Sequence, residues 1–238
     1  MNIIITGASK GIGLAIAEQY SAEATPHTFF LCSRNEAEIT QAASTLSTQF
    51  PHHRYHGVPC DVANEKQVQE FISKCLAITP VIDVLVNNAG FGLFKPTIEM
   101  SPGEFTTVLN TNLKGVFWMT KGVLPSMRAN KQGTIITLSS LAGKNGFKGG
   151  AAYCAAKYAV RGLMQCLFLE VREDNIRCIT VCPGSVDTAF FDTVENPGNT
   201  TSMLQASEVA EIIYHSATLP TRATVSEIEI RPTNPKGR

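Results

Sequence analysis

Apolar residues along this chain fall into two kinds of run. One kind is short and apolar at consecutive positions: 2–6 (NIIIT), 28–32 (TFFLC), 83–87 (DVLVN), 134–139 (TIITLS) and 177–182 (RCITVC). Consecutive apolar positions suit strands of a parallel sheet with both faces covered. Weaker strand signals lie at 54–59 (RYHGVP) and 226–231 (SEIEIR). The other kind is longer and helically spaced, as in Ala156, Val160, Leu163, Met164 and Leu167. Asn35, with Glu38 three residues on, reads as an N-cap in a variant capping box. Strand–helix alternation over the whole length predicts an α/β fold, a doubly wound parallel sheet of about seven strands with helices on both faces. No linker, repeat or low-complexity tract divides residues 1–238, so a single domain is expected.

Composition narrows the function classes. Acidic and basic residues balance at 20 each, which gives no electrostatic reason for nucleic acid or an anionic membrane as partner. No apolar run approaches the roughly 20 residues of a membrane-spanning helix. The N-terminus enters a strand at once, without the basic start and small-residue cleavage site of a signal peptide. Seven cysteines without framework spacing point to a reducing, cytoplasmic setting. Cys178 and Cys182 share one face of a strand and read as small buried hydrophobes. His52, His53 and His56 read as a polar loop leading into a strand, and no metal is expected.

The first turn carries chemistry. In ITGASKGIGLAI (5–16), Gly7, Gly11 and Gly13 follow a strand and open a helix, with Ser9, Lys10 and Ile12 between them. Such a loop lets backbone approach a pyrophosphate at a helix N-terminus, as in a Rossmann-type fold. The second strand then ends in Ser33 and Arg34, where an NAD site usually offers an acid to the ribose. Arg34 with Lys10 suits a 2′-phosphate and therefore NADP(H). Glu36 and Glu38 come too late to be that acid, and capping accounts for Glu38. In AAYCAAK (151–157), Tyr153 and Lys157 lie one helical turn apart. A nearby cation lowers a phenol's pKa and fits it for proton transfer.

Together these features resemble the short-chain dehydrogenase/reductase family over essentially the whole chain. The matching residues are TGASKGIG (6–13), NNAG (87–90), Asn112 in NTNLKG, Ser140 in TLSS, Tyr153 with Lys157, and PGSVDT (183–188). The resemblance implies a catalytic set of Asn112, Ser140, Tyr153 and Lys157. Tyr153 would be the general acid in reduction and the base in oxidation. Lys157 would lower its pKa and bind the nicotinamide ribose. Ser140, with Ser139 as the alternative, would bond the substrate oxygen. Asn112 would hold a water linking Lys157 to solvent. The resemblance also places Asp61 and Val62 at the adenine, and Asn88, Ala89 and Gly90 at its ribose and the sheet's crevice. Pro183, Gly184, Val186 and Thr188 would pass the nicotinamide.

The expected reaction is NADPH-dependent reduction of a carbonyl to an alcohol. Phe94, Phe147, Phe190 and Phe191 are candidate walls of an apolar pocket, and 189–206 a candidate lid. EIEIRPT, FGLFKP and NTNLKGVFWMT resemble the sepiapterin-reductase branch of the family, which implies a pterin or vicinal dicarbonyl substrate. Acyl thioesters, steroids and sugars stand as alternatives, and a catalytically silent NADP(H) sensor or scaffold as another class. The family likeness further implies a homodimer or homotetramer through the helices of Trp118 and Tyr153.

Overall fold

The structure is a computed structural model, and it describes residues 1–191 and 200–234. Seven parallel strands form one sheet in the order β3-β2-β1-β4-β5-β6-β9. They are β1 (Asn2–Thr6), β2 (Thr28–Ser33), β3 (Arg54–Pro59), β4 (Val84–Asn87), β5 (Gly133–Leu138), β6 (Ile176–Pro183) and β9 (Glu227–Ile230). A two-stranded ladder, β7 (Val186–Asp187) with β8 (Leu204–Gln205), stands apart from it. The strand order reverses direction between β1 and β4, which opens a crevice at the carboxyl ends of those strands. All seven strands anticipated from the hydrophobic runs are present.

Helices cover both faces. On one face lie α1 (Gly11–Ser21), α2 (Glu36–Gln49) and α7 (Ala206–Ala217). On the other lie α3 (Glu65–Ile78), α5 (Gly115–Ala129) and α6 (Ala151–Val171), with the shorter α4 (Pro102–Leu109) preceding α5. Strand residues alternate between the two cores. Ile3, Ile5, Phe29 and Leu31 pack with Ile16, Ile39 and Ile213. Ile4, Phe30, Leu85 and Ile135 pack with Phe71, Met119 and Met164. Ile3, Ile4 and Ile5 are each 0% exposed, which explains an apolar run with no alternation. Each contributes about 1.5–3 kcal/mol through burial. Cys178 and Cys182 are buried as anticipated.

Two local features were not anticipated. Between α4 and α5 the helix widens into a π turn, Asn110–Lys114, which turns Asn112 inward at 0% exposure. Such bulges commonly serve functional sites. His53, read as part of a polar loop, is 4% exposed. Its ring accepts from the His27 backbone N–H at 2.9 Å and bonds the Ser21 carbonyl at 3.0 Å.

Candidate active site

The glycine loop is kept free of side chains at Gly7, Gly11 and Gly13 by its backbone geometry. Gly7 (φ +65°) and Gly11 (φ +60°) occupy left-handed backbone that favours glycine. A side chain on Gly13 would stand 2.4 Å from the Gly7 carbonyl oxygen. Helix α1 begins at Gly11 with no side-chain cap and no acid in its first turn. Its first N–H groups and the positive end of its dipole are therefore available to a phosphate. Asn88 braces the loop from the end of β4. Its amide donates to the Thr6 and Gly7 carbonyls at 2.9 and 3.0 Å, while Thr6 Oγ1 accepts from the Asn88 and Ala89 N–H groups. Asn88 and Ala89 thus shape the loop. Thr6 does the same, and the first threonine of TGASKGIG was its only signal in the sequence.

The remaining anticipated nucleotide residues are placed as follows. Ile12 packs its side chain against the core behind the loop. Thr188 reaches the loop's far side, where a Cβ on Gly11 would touch its methyl at 3.3 Å. Ser33 donates to the Asn35 carbonyl, and Arg34 is exposed. Asp61 is engaged locally, its carboxylate accepting from the Ala63 N–H at 2.9 Å. The Val62 side chain is buried, packed against the position of Gly115 in α5. Gly184 donates its N–H to the Ile230 carbonyl at 2.8 Å, which seats the turn after β6 beside the end of β9. Pro183 and Val186 are buried on either side of that turn.

One expectation about this region needs correction. Asn35 does cap α2, accepting from the Glu38 N–H at 3.1 Å. Glu38, however, does not fold back to complete a capping box. Its carboxylate accepts from the Ser9 hydroxyl at 3.2 Å and lies 3.9 Å from the Lys10 ammonium. Local spacing fitted a cap, but only the fold brings the glycine loop alongside.

Helix α6 carries Tyr153 and Lys157 on its inward face, 8% and 4% exposed. Ser140 follows β5; its hydroxyl accepts from the Ala142 N–H at 3.1 Å and lies near enough to Tyr153 to lower the phenol's pKa. Ser139 points the other way, donating to the Lys157 carbonyl at 3.0 Å. Of the two serines, Ser140 is the one that faces the tyrosine. The Lys157 ammonium donates to the Leu138 carbonyl at 2.7 Å and lies 5.6 Å from the centre of the Tyr153 ring. The Asn112 amide donates to the Phe91 and Val108 carbonyls, both at 3.0 Å. Its Oδ1 is buried and has no partner among the described residues. A Cβ on Gly90 would lie 2.6 Å from that oxygen and 3.6 Å from Lys157 Nζ, so all three groups meet at one point. An orphaned buried acceptor costs about 1–3 kcal/mol, and this one suits a donor shared with Lys157.

The electrostatics differ from the expected tuning. Burial pushes the Tyr153 phenol up to about 12 against a smaller lowering by Ser140, and pushes the Lys157 ammonium down to about 8. Lysine does not win here because burial penalises the charged form of both groups. The ammonium also donates a hydrogen bond to the Leu138 carbonyl and makes none to the phenol.

Aromatic rings cover the tyrosine. Phe94 meets the Tyr153 ring edge-on at 5.5 Å, Phe190 lies 5.7 Å from it, and Phe147 packs on Phe94 at 5.3 Å. The Phe191 side chain and residues 192–199, anticipated as pocket wall and lid, lie outside the described residues. Among the described residues no His, Cys, Asp and Glu group could hold a metal. No helix among them is long and apolar enough to cross a membrane.

Residues 1–198 match the family model described as short chain dehydrogenase, and the chain belongs to this family of oxidoreductases. It is 30% identical over 237 residues to a protein named sepiapterin reductase from Chlorobaculum tepidum, covering 98% of this chain and 96% of that protein. It is 37% identical over 193 residues to granaticin polyketide synthase putative ketoacyl reductase 1 from Streptomyces violaceoruber, covering 80% of this chain and 70% of the relative. Among solved structures, an alcohol dehydrogenase from the archaeon Thermococcus sibiricus, complexed with 5-hydroxy-NADP, matches with a TM-score of 0.88 at 30% identity. That match covers 100% of this chain and 97% of the other.

Proposed function

We propose that the protein is an NADP(H)-dependent oxidoreductase that reduces a carbonyl to an alcohol. The observation that carries this is the convergence of the half-buried Ser140 hydroxyl and the buried Tyr153 phenol, one helical turn from the buried Lys157 ammonium. NADPH, when bound, supplies the hydride. The chain's own groups do the rest. The glycine loop and the uncapped start of α1 receive the pyrophosphate, and Lys10 and Arg34 the 2′-phosphate. Ser140 donates a hydrogen bond to the substrate oxygen as negative charge grows there. Tyr153 then gives that oxygen its proton. The phenol is protonated at neutral pH and can therefore act as the donor, although burial, by raising its pKa to about 12, makes it a weaker acid until a bound cofactor and substrate change its surroundings. Lys157 restores the proton, with Asn112 Oδ1 as acceptor for a relaying water.

The pocket favours a flat, uncharged substrate. Phe94 and Phe190 close over Tyr153 with Ala142 beside them, and these contacts are apolar or aromatic. Phe94 and Phe190 lie 6.2 Å apart and tilted at 58°, and a planar conjugated ring seated on either would gain an aromatic contact. A pterin or other vicinal dicarbonyl ring fits that description, in line with the sepiapterin reductase relative. The exposed faces of α5 and α6, with Phe117 at 45% and Leu169 at 62%, favour a homodimer or homotetramer, and light scattering reads the mass directly.

The test is consumption of NADPH over a carbonyl panel of sepiapterin, a simple diketone, a ketosteroid, a keto sugar and an acetoacetyl thioester. Sepiapterin or the diketone should lead, and Tyr153→Phe should lose at least about a hundredfold in turnover while still binding NADPH. Turnover retained by the variant would remove the proton donor. Tight NADPH binding without turnover on any carbonyl would favour a silent sensor.

A further inference from the structure

We propose that Glu38 sets how strongly this chain prefers NADP(H) to NAD(H), because it holds a negative charge against Ser9 and Lys10, beside the donors that would receive the 2′-phosphate. The inference rests on the NADP(H) reading above.

Two other helices show what Glu38 would do if capping were its role. Glu104 folds back onto the Ser101 N–H at 2.8 Å, and Glu208 onto the Gln205 N–H at 2.7 Å. Glu38 holds the equivalent third position of α2, yet its carboxylate reaches out of the helix to Ser9 and Lys10 on the glycine loop. Ser9 and Lys10 lie 29 and 28 residues from it in sequence, so this is a contact made by the fold. It places one negative charge beside Lys10, one of the two cations that otherwise favour a phosphate.

The pair with Lys10 is no barrier to binding. Both side chains are well exposed, at 64% and 45%, and an exposed ion pair adds little and opens readily. What remains is proximity. Wherever the carboxylate swings on the first turn of α2, it stays on the side of the glycine loop that carries Ser9 and Lys10, where the adenosine ribose would be received. A phosphate carrying nearly two charges is repelled there, whereas a ribose 2′-hydroxyl gains an acceptor. Glu38 therefore does from α2 part of what an acid at the end of β2 does in an NAD site. The chain should be an NADP(H) binder of restrained selectivity that tolerates NAD(H).

The experiment uses binding alone. Calorimetry on the intact chain gives the affinities of 2′,5′-ADP and of 5′-ADP for the wild type, Glu38→Gln and Lys10→Met. Glu38→Gln should bind 2′,5′-ADP about five- to tenfold more tightly, with 5′-ADP unchanged or weaker, and the gain should shrink at high salt. Glutamine matches glutamate in size and helix propensity on this exposed turn, so misfolding is not the expected complication. If the ratio of the two affinities stays within about twofold of wild type while Lys10→Met weakens 2′,5′-ADP, Glu38 has no such role and NADP(H) binding stands. If the wild type does not prefer 2′,5′-ADP and Lys10→Met changes nothing, the NADP(H) reading itself falls.

Discussion

Lys157 is 4% exposed, and its ammonium bonds the Leu138 carbonyl at 2.7 Å. Burial lowers its pKa from 10.5 to about 8. Below about 8 both folded and unfolded chains carry the charge, and the cost of burying it is fully present. Between about 8 and 10.5 the folded chain loses its proton while the unfolded chain keeps it, so stability rises with pH across that window. The cost at neutral pH is on the order of 3 kcal/mol, at about 1.36 kcal/mol for each tenfold loss in proton affinity. Lys157→Met removes that cost but orphans the Leu138 carbonyl, which takes back about 1–2 kcal/mol. The variant should therefore be about 1–2 kcal/mol more stable near neutral pH by urea unfolding, and catalytically dead. A less stable variant would show that the ammonium is better solvated than its burial implies. The same burial raises the Tyr153 pKa, so a phenol held protonated and a lysine that costs stability have one cause.

Helix α6 presents Tyr153, Lys157 and Arg161 at intervals of four, and the third residue extends the site to the far edge of the sheet. Arg161 donates to the Gly143 carbonyl at 2.8 Å and forks onto Glu227 of β9 at 2.8 and 3.3 Å. Lys144 joins Glu227 and Glu229 at 2.6 and 2.7 Å. The turn from Ser140 to Gly143 is thereby fixed to both α6 and β9. A shift of Ser140 by a fraction of an ångström matters more to rate than to folding. Arg161→Lys keeps the charge and loses the fork. It should lower kcat about tenfold, with KM for NADPH within about twofold. Unchanged kcat would mean that the turn holds itself. This linkage was not readable in advance, because Arg161 and Glu227 are 66 residues apart and charge alone does not choose a partner. EIEIRPT looked like a subfamily mark, and the fold shows two of its glutamates gripping the serine turn. Glu38 misled for the opposite reason, since a local rule fitted it before its distant neighbours were known. The strands, the glycine loop and the Tyr153–Lys157 face were legible because each depends on spacing within one element. The aromatic cover on Tyr153 was only half legible, since Phe94, Phe147 and Phe190 come from three separate loops.

The end of the sheet remote from the glycine loop is tied together by histidines, and this sets how the whole molecule meets acid. His27 is 3% exposed, and its Nδ1 contacts the N-terminal ammonium of Met1 at 3.1 Å. Its Nε2 bonds Glu23 at 3.0 Å, and its ring stacks on His53 at 5.2 Å. Glu23 also accepts from the Tyr214 hydroxyl at 2.7 Å, so α1, β2, β3 and α7 meet at this cluster. Reading His53 as solvated loop missed it, because nothing local marks a histidine that will be buried by strands from elsewhere. Burial and the neighbouring ammonium hold the His27 pKa below its ordinary 6.5, and Glu23 opposes them only partly. Above 6.5 the ring is neutral in both folded and unfolded chains, and it adds no pH dependence. As pH falls below 6.5 the unfolded chain takes up a proton that the folded chain refuses, so stability drops with pH until the folded value is passed. A protonated ring would also turn Nδ1 from acceptor to donor against an ammonium that has only protons to offer. Unfolding midpoints measured from pH 7.5 down to 5 should fall for the wild type. His27→Gln, whatever its own midpoint, should fall less steeply. Equal slopes for the two chains would place the acid-sensitive group elsewhere and leave His27 as packing alone.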